Sequence, residues 1–279
     1  MTAATSPEIT KNISVPAVWI GTSVLVSVLV TITSLFGIVL EKTYSRETHA
    51  WAIQAIGQDY ANLAVVIILL VSTYFVSKHS LRGFLVWLGA YLYLIYAFAI
   101  YAFAVHFQFL FLAYVLILGL SFYTLVGGMI TVDMDKFSRL LLGNPKAKIV
   151  SVLLFIIGAM FSLLWLSEIV PNLIAGTISQ GLVETQLWVN PVHVLDLAFL
   201  LPGMIIISVL LWKEKVLGCL MAVPLLVFAA TMGLGIIAMF AISAIKGLPY
   251  SLPAGIMIGI IIVLSSGFSY MFLKEVKED

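Results

Sequence analysis

Charge is what this sequence has least of. Only 10% of its 279 residues are charged, while 62% are hydrophobic and the mean hydropathy is +1.16. A soluble domain of ordinary composition carries about 25% charged residues, so composition alone assigns the chain to the membrane. Cysteine is nearly missing as well. Cys219 stands alone, which excludes an intrachain disulfide framework and any multi-cysteine zinc motif. Near a helix end it reads as a small apolar residue. The net charge of +1 says nothing about nucleic acid, and no basic patch interleaved with aromatics points to such a partner. Gly-x-Ser-x-Gly, His-Glu-x-x-His and phosphate-loop patterns do not occur. No lysine lies inside an apolar run, which excludes a retinal Schiff base. Met1 to Ser14 carries one base, Lys11, and no small-x-small cleavage site; the run after it is too long for a signal peptide and reads as a first span.

What is abundant is apolar runs of membrane-crossing length, about 20 residues each. They are Val15–Leu40, Tyr60–Val76, Phe84–Val105, Phe109–Thr131, Ile149–Ser167, Val192–Trp212, Val216–Ala241 and Leu252–Phe272. The reading is an all-α polytopic membrane protein of eight transmembrane helices, forming one domain over residues 1–279. Two connections, Glu47–Ile56 and Thr131–Lys148, have the apolar side expected of short surface helices. Of the 14 Lys and Arg residues, Lys42, Arg46 and Lys246 fall on one side of the membrane and the other eleven on the opposite side. The positive-inside rule then puts both termini in the cytoplasm. The outer side collects Glu41, Glu47, His49, Asp59, His106, Glu168, Glu184, His193 and Asp196.

The two halves, 15–148 and 149–279, share a register. Asp59 precedes Lys78 by nineteen residues and Asp196 precedes Lys215 by nineteen, with Gly83 and Gly218 following. Four spans per half make any repeat a 4+4 parallel one, its axis along the membrane normal. Such an axis sets Asp59 and Asp196 at one depth on opposite walls of a cavity. The alternative is that helix–loop–helix membrane segments commonly look alike at this level.

The stretch from Asn190 to Pro202 concentrates the polar interest. Asn190 reads as an N-cap and Pro191 as the first helical residue. His193 and Asp196, three apart, share a helix face. At about 1.5 Å rise per residue Asp196 lies about 7.5 Å into the helix, too deep for a cap, where an ionisable residue marks a site or a pair. Asp59, at the expected start of the second span, has a capping and a functional reading. His193 is open between an interfacial histidine and a ligand. In the third span Tyr93, Tyr96 and Tyr101 share a face that looks into the bundle, and the mid-span Tyr96 hydroxyl needs an acceptor. Gly119, Gly127, Gly128, Gly233 and Gly235 read as close-packing positions. Pro202 and Pro224 kink their helices. His49, His106 and His193 with a carboxylate offer zinc ligands on paper, and His106 with His193 offers a haem bridge. No cofactor is assigned.

The segments Gln58-Asp59, Ser80-Leu-Arg-Gly83, Tyr101-Ala-Phe103, Leu110-Phe-Leu112 with Tyr114, Leu163-Leu-Trp-Leu-Ser167 and Val194-Leu-Asp196 resemble a prokaryotic family of multi-spanning integral membrane proteins with no assigned activity. The resemblance implies a prokaryotic plasma membrane and carries no substrate or cofactor.

The leading reading is a permease or binding protein for a small solute or cation, with an outward-facing site drawn from Asp59, Tyr96, Tyr101, His106, Glu168, His193 and Asp196, and a link to protons. The rivals are a membrane-embedded metal-dependent enzyme and a sensor or assembly subunit. The expected partners are the lipid bilayer, a small solute or cation, and an oligomeric or other membrane partner.

Overall fold

The structure, a computed structural model, describes residues 14–133, 137 and 140–276. Among them eight helices are long and apolar enough to cross a membrane. These are α1 (Ala17–Val39), α2 (His49–Ser77), α3 (Leu81–Ala104), α4 (Phe111–Ile130), α5 (Ala147–Ala175), α7 (Pro191–Trp212), α8 (Val216–Ile245) and α9 (Leu252–Lys274). The short helix α6 (Gln180–Thr185) lies between α5 and α7. No strand occurs among the described residues.

Local chemistry sets the helix ends. The side chains of Thr48, Ser80, Asn190 and Ser251 accept bonds from the first free N–H groups of α2, α3, α7 and α9. Gly176, at φ 64°, closes α5 in the left-handed conformation that glycine adopts without steric cost. Two boundaries differ from the sequence reading. Glu47–Ile56 does not form a separate surface helix, because α2 runs unbroken from His49. Gly57 is no breaker there, since its bare Cα lies against α8; an added Cβ would sit 2.5 Å from the Met239 Cα. Likewise α5 continues past Ser167, through Glu168 and Pro171, to Ala175. A carboxylate beyond an apolar run reads as a span end, yet nothing in its chemistry stops the helix. The expected surface helix over Thr131–Lys148 falls partly outside the described residues. Phe137 and Leu141 within it are buried, Phe137 with its ring 6.1 Å from Phe84.

The central post is α3. Its apolar window is 78% buried, against 28% for α4, α5 and α9. Hydrocarbon solvates leucine as well as a protein core does, so close packing and polar bonds must hold such a bundle together. Helix α3 packs on α2, α4 and α8, while α8 also meets α2, α7 and α9. Helix α1 closes the first half against α2 and α4. The corresponding outer pair of the second half, α5 and α9, barely touches.

Glycines make several of these approaches. A Cβ at Gly128 would meet the Trp87 ring, one at Gly233 would meet Ile262, and one at Gly235 would meet Gln58; Gly127 lies flat on Trp19. Gly119 departs from the expectation, because nothing lies within 4 Å of its missing Cβ. Polar bonds add to the packing. Ser23 of α1 accepts from Trp87 Nε1 at 3.0 Å and from the Tyr91 hydroxyl at 2.8 Å, while its own hydroxyl donates to the Trp19 carbonyl at 2.8 Å. At one end of the bundle Arg46 donates to the Phe107 carbonyl; at the other Arg82 donates to that of Val276.

Candidate functional site

Helix α7 is irregular where it carries its carboxylate. Asn190 caps it and Pro191 starts it, but Asp196–Leu200 forms a π-helical turn before the chain returns to α at Leu201. The Leu201 N–H bonds back five residues to the Asp196 carbonyl. Pro202 follows at once, and its missing N–H removes one rung of a regular ladder. The extra residue in the turn rotates the two halves of the helix relative to each other. Single π turns of this kind are frequent at functional sites.

Asp196 is 6% exposed and each oxygen has one donor. The Tyr96 hydroxyl of α3 donates to Oδ1 at 2.8 Å, and Trp165 Nε1 of α5 donates to Oδ2 at 2.7 Å. Tyr96 thus finds the acceptor that its mid-span position demands. The carboxyl opens on a cavity of about 390 Å³ between α2, α3, α5, α7, α8 and α9, with α6 over one end. Its walls are mostly aromatic and aliphatic: Ile100, Phe161, Phe228, Met232, Phe240 and Ile261 are typical. Gln54, Gln58, Tyr101, Thr185 and Asn190 add the remaining polar groups. Ile157 and Phe161 of α5 and Ile258 and Ile261 of α9 are among the cavity's lining residues.

The expected site residues therefore divide. Tyr96, Tyr101 and Asp196 line the cavity. His193 lies behind Asp196, its ring 4.6 Å from that of Trp165 and its Nε2 3.8 Å from Glu168 Oε2. That nitrogen is buried and makes no hydrogen bond. His106 lies apart at the bundle end, where Glu47 accepts from its backbone N–H at 2.7 Å and contacts its Nδ1 at 2.9 Å.

Asp59 is also off the cavity. It lies ten residues inside α2, so the capping reading does not apply. Tyr44, in the 3-10 turn Glu41–Tyr44, donates to its Oδ2 at 2.6 Å, and Tyr101 donates to Oδ1 at 2.9 Å. Burial pushes the Tyr44 hydroxyl well above the usual tyrosine range, and Tyr101 and Asp59 beside it add to the effect, so Tyr44 remains a donor. Gly37 of α1 makes room, since a Cβ there would strike the carboxylate. A polar chain extends from this pocket: Asn62 donates to the Tyr101 hydroxyl at 3.5 Å, Tyr93 to Asn62 Oδ1 at 2.8 Å, and Gln58 to Tyr93 at 2.6 Å.

Trp165, Tyr44, Gln58 and Asn62 were not picked out as site residues from sequence. The indole N–H of an intramembrane tryptophan, which needs an acceptor, was the available signal for Trp165. Among the described residues no three His, Cys, Asp or Glu side chains gather as a metal-binding group, and His49, His106 and His193 do not converge. His106 pairs with Glu47 and His193 with Glu168, and among the described residues no Lys or Arg pairs with Asp59 or Asp196. Neither a protein family nor a curated protein nor a solved structure matches the chain.

Proposed function

We propose that this is a membrane permease or binding protein for a small organic cation, held in the Asp196 cavity. The observation that carries the reading is a carboxylate whose two oxygens accept from neutral donors, facing an aromatic-walled cavity, with no cationic side chain paired to it among the described residues. Such a group accepts hydrogen bonds or charge, and the faces of Tyr96 and Phe228, ring centroids 5.4 Å apart, attract a cation through their quadrupoles. The apolar walls fit an alkyl or aryl body.

The finer assignments belong to the same reading. The charge bias supports cytoplasmic termini, and the resemblance supports a prokaryotic plasma membrane. A 4+4 parallel repeat rests on the shared nineteen-residue register of the two halves; consecutive spans pack in both, but α1 packs on α4 where α5 barely touches α9.

Calorimetric titration of the protein in nanodiscs tests the binding. Tetrapropylammonium should bind the wild type, and Asp196→Asn should weaken it at least ~10-fold, equivalent to about 1.4 kcal/mol. Equal affinity in the variant, or tighter binding of tetraphenylborate, contradicts a cation site at Asp196.

A further inference from the structure

Beside the cavity lies a second carboxyl that cation binding does not use. Asp59 is 2% exposed, about one turn inside the ends of α1, α3 and α4, and among the described residues no cation pairs with it. The groups facing it are neutral on every packed element: Tyr44 from the turn, Ser34 and Gly37 from α1, Asn62 on α2, Tyr93 and Tyr101 from α3, and Tyr114 from α4. A lone carboxylate at that depth is costly, and functional use is the ordinary reason for its retention.

The geometry provides for two states of this carboxyl. The Tyr101 hydroxyl lies 2.9 Å from Asp59 Oδ1 and 3.2 Å from the Ala55 carbonyl oxygen, so its hydrogen has two acceptors. With Asp59 ionised, Tyr101 donates to Oδ1. With Asp59 protonated on Oδ1, the acid O–H donates to the Tyr101 oxygen and Tyr101 turns its own hydrogen to Ala55. Neither state leaves a buried donor unpaired, and Tyr44 serves Oδ2 in both. Tyr101 also lines the cavity, so it is the residue that Asp59 and the cavity share. Gln58, at the far end of the chain through Asn62 and Tyr93, lines it too.

We propose that Asp59 is a proton-exchange site, reached from the Asp196 cavity through the Tyr101 hydroxyl and discharged when a cation occupies that cavity. The exchange balances simply. Tyr101 passes its hydroxyl proton to Asp59 Oδ1 and takes one proton from the cavity side, so the hydroxyl is restored and the carboxylate becomes the neutral acid. The return step reverses this. Two carboxyls then share the work, one charged against the solute and the other holding a proton while the solute is absent. The proton site stands on the Asp59 geometry alone, and its discharge by a cation rests on the function proposed above.

Infrared difference spectra between acidic and alkaline buffer, in H₂O and D₂O, test the site without any ligand. The wild type in nanodiscs should show a carboxylic acid C=O band, lost in Asp59→Asn and kept in Asp196→Asn. The amide fits, with its carbonyl toward Tyr44 and its N–H₂ toward Tyr101. Tyr101→Phe removes the acceptor of the acid O–H and should move the same band to higher frequency. A band that survives Asp59→Asn, or that Tyr101→Phe leaves in place, overturns the proposal. For the coupling, tetrapropylammonium added to weakly buffered protein with a pH-indicator dye should release protons from wild type and none from Asp59→Asn. Binding without release overturns the coupling. Absence of binding overturns the cation reading, while the infrared result still decides Asp59.

Discussion

The two donors to Asp196 differ in what they can do. The Trp165 indole N–H only donates, so the oxygen facing it must always accept; the Tyr96 hydroxyl can turn and accept. Asparagine therefore fits with its carbonyl toward Trp165 and its amide toward Tyr96, whose own hydrogen then turns to the cavity that both residues line. Leucine strands the indole N–H and the hydroxyl together. Asp196→Asn should thus change unfolding free energy by less than about 1 kcal/mol, whereas Asp196→Leu should cost about 1–3 kcal/mol. Thermal unfolding in detergent measures both. A large loss in the asparagine variant would make Asp196 a structural pair, with no reason left to assign it a ligand.

Glycine decides how closely the helices approach, and the two cases in α3 and α4 differ in sign. At Gly89 of α3 a Cβ would lie 2.6 Å from the Val227 Cβ and 2.8 Å from the Pro224 carbonyl oxygen of α8. Pro224 thus presents its backbone to the central helix, and Gly89 receives it. Gly89→Val should cost about 1–3 kcal/mol by overpacking. Gly119→Ala in α4, with open space beside it, should instead leave stability unchanged or raise it by up to about 1 kcal/mol through helix propensity. Melting temperatures of the two variants check the contrast, and a destabilised Gly119→Ala would place a neighbour on that face. The same elements show why part of the architecture was legible in advance. Eight apolar runs and the Asn190-Pro191 start are local signals, and each appears in the structure. The length of α2 and the π turn at Asp196–Leu200 were not legible, because uncharged polar residues such as Gln54 and Gln58 do not stop a helix and a π turn follows from packing. The division of Asp59 from the cavity was hidden for a similar reason. Which side of α2 faces α1 depends on Gly37, Tyr44 and Tyr101, residues distant in sequence from Asp59.

At the scale of the whole molecule the polar pockets lie off the lipid-facing surface, and the two ends of the bundle differ in charge. Lys42, Arg46 and Lys246 are at the end that also bears Glu47, while Lys78, Arg82, Lys146, Lys148, Lys213, Lys215 and Lys274 are at the other. A reporter fused after Asp279 should read cytoplasmic and one inserted at Thr177 external; reversal of both would put the α6 end of the cavity inside the cell. In the first half α1 packs on α4, whereas in the second α5 barely touches α9. An interior with two carboxyls, no paired Lys or Arg among the described residues and aromatic walls is suited to receive positive charge. The most direct test is to locate that charge. Crystals grown with tetrapropylarsonium, an arsenic analogue of the ammonium probe, carry an anomalous scatterer at the cationic centre. The account predicts one dominant arsenic peak inside the cavity, between the Asp196 carboxylate and the Phe228 ring, and its loss in Asp196→Asn crystals. A peak elsewhere, or none in the cavity at saturating probe, would contradict it.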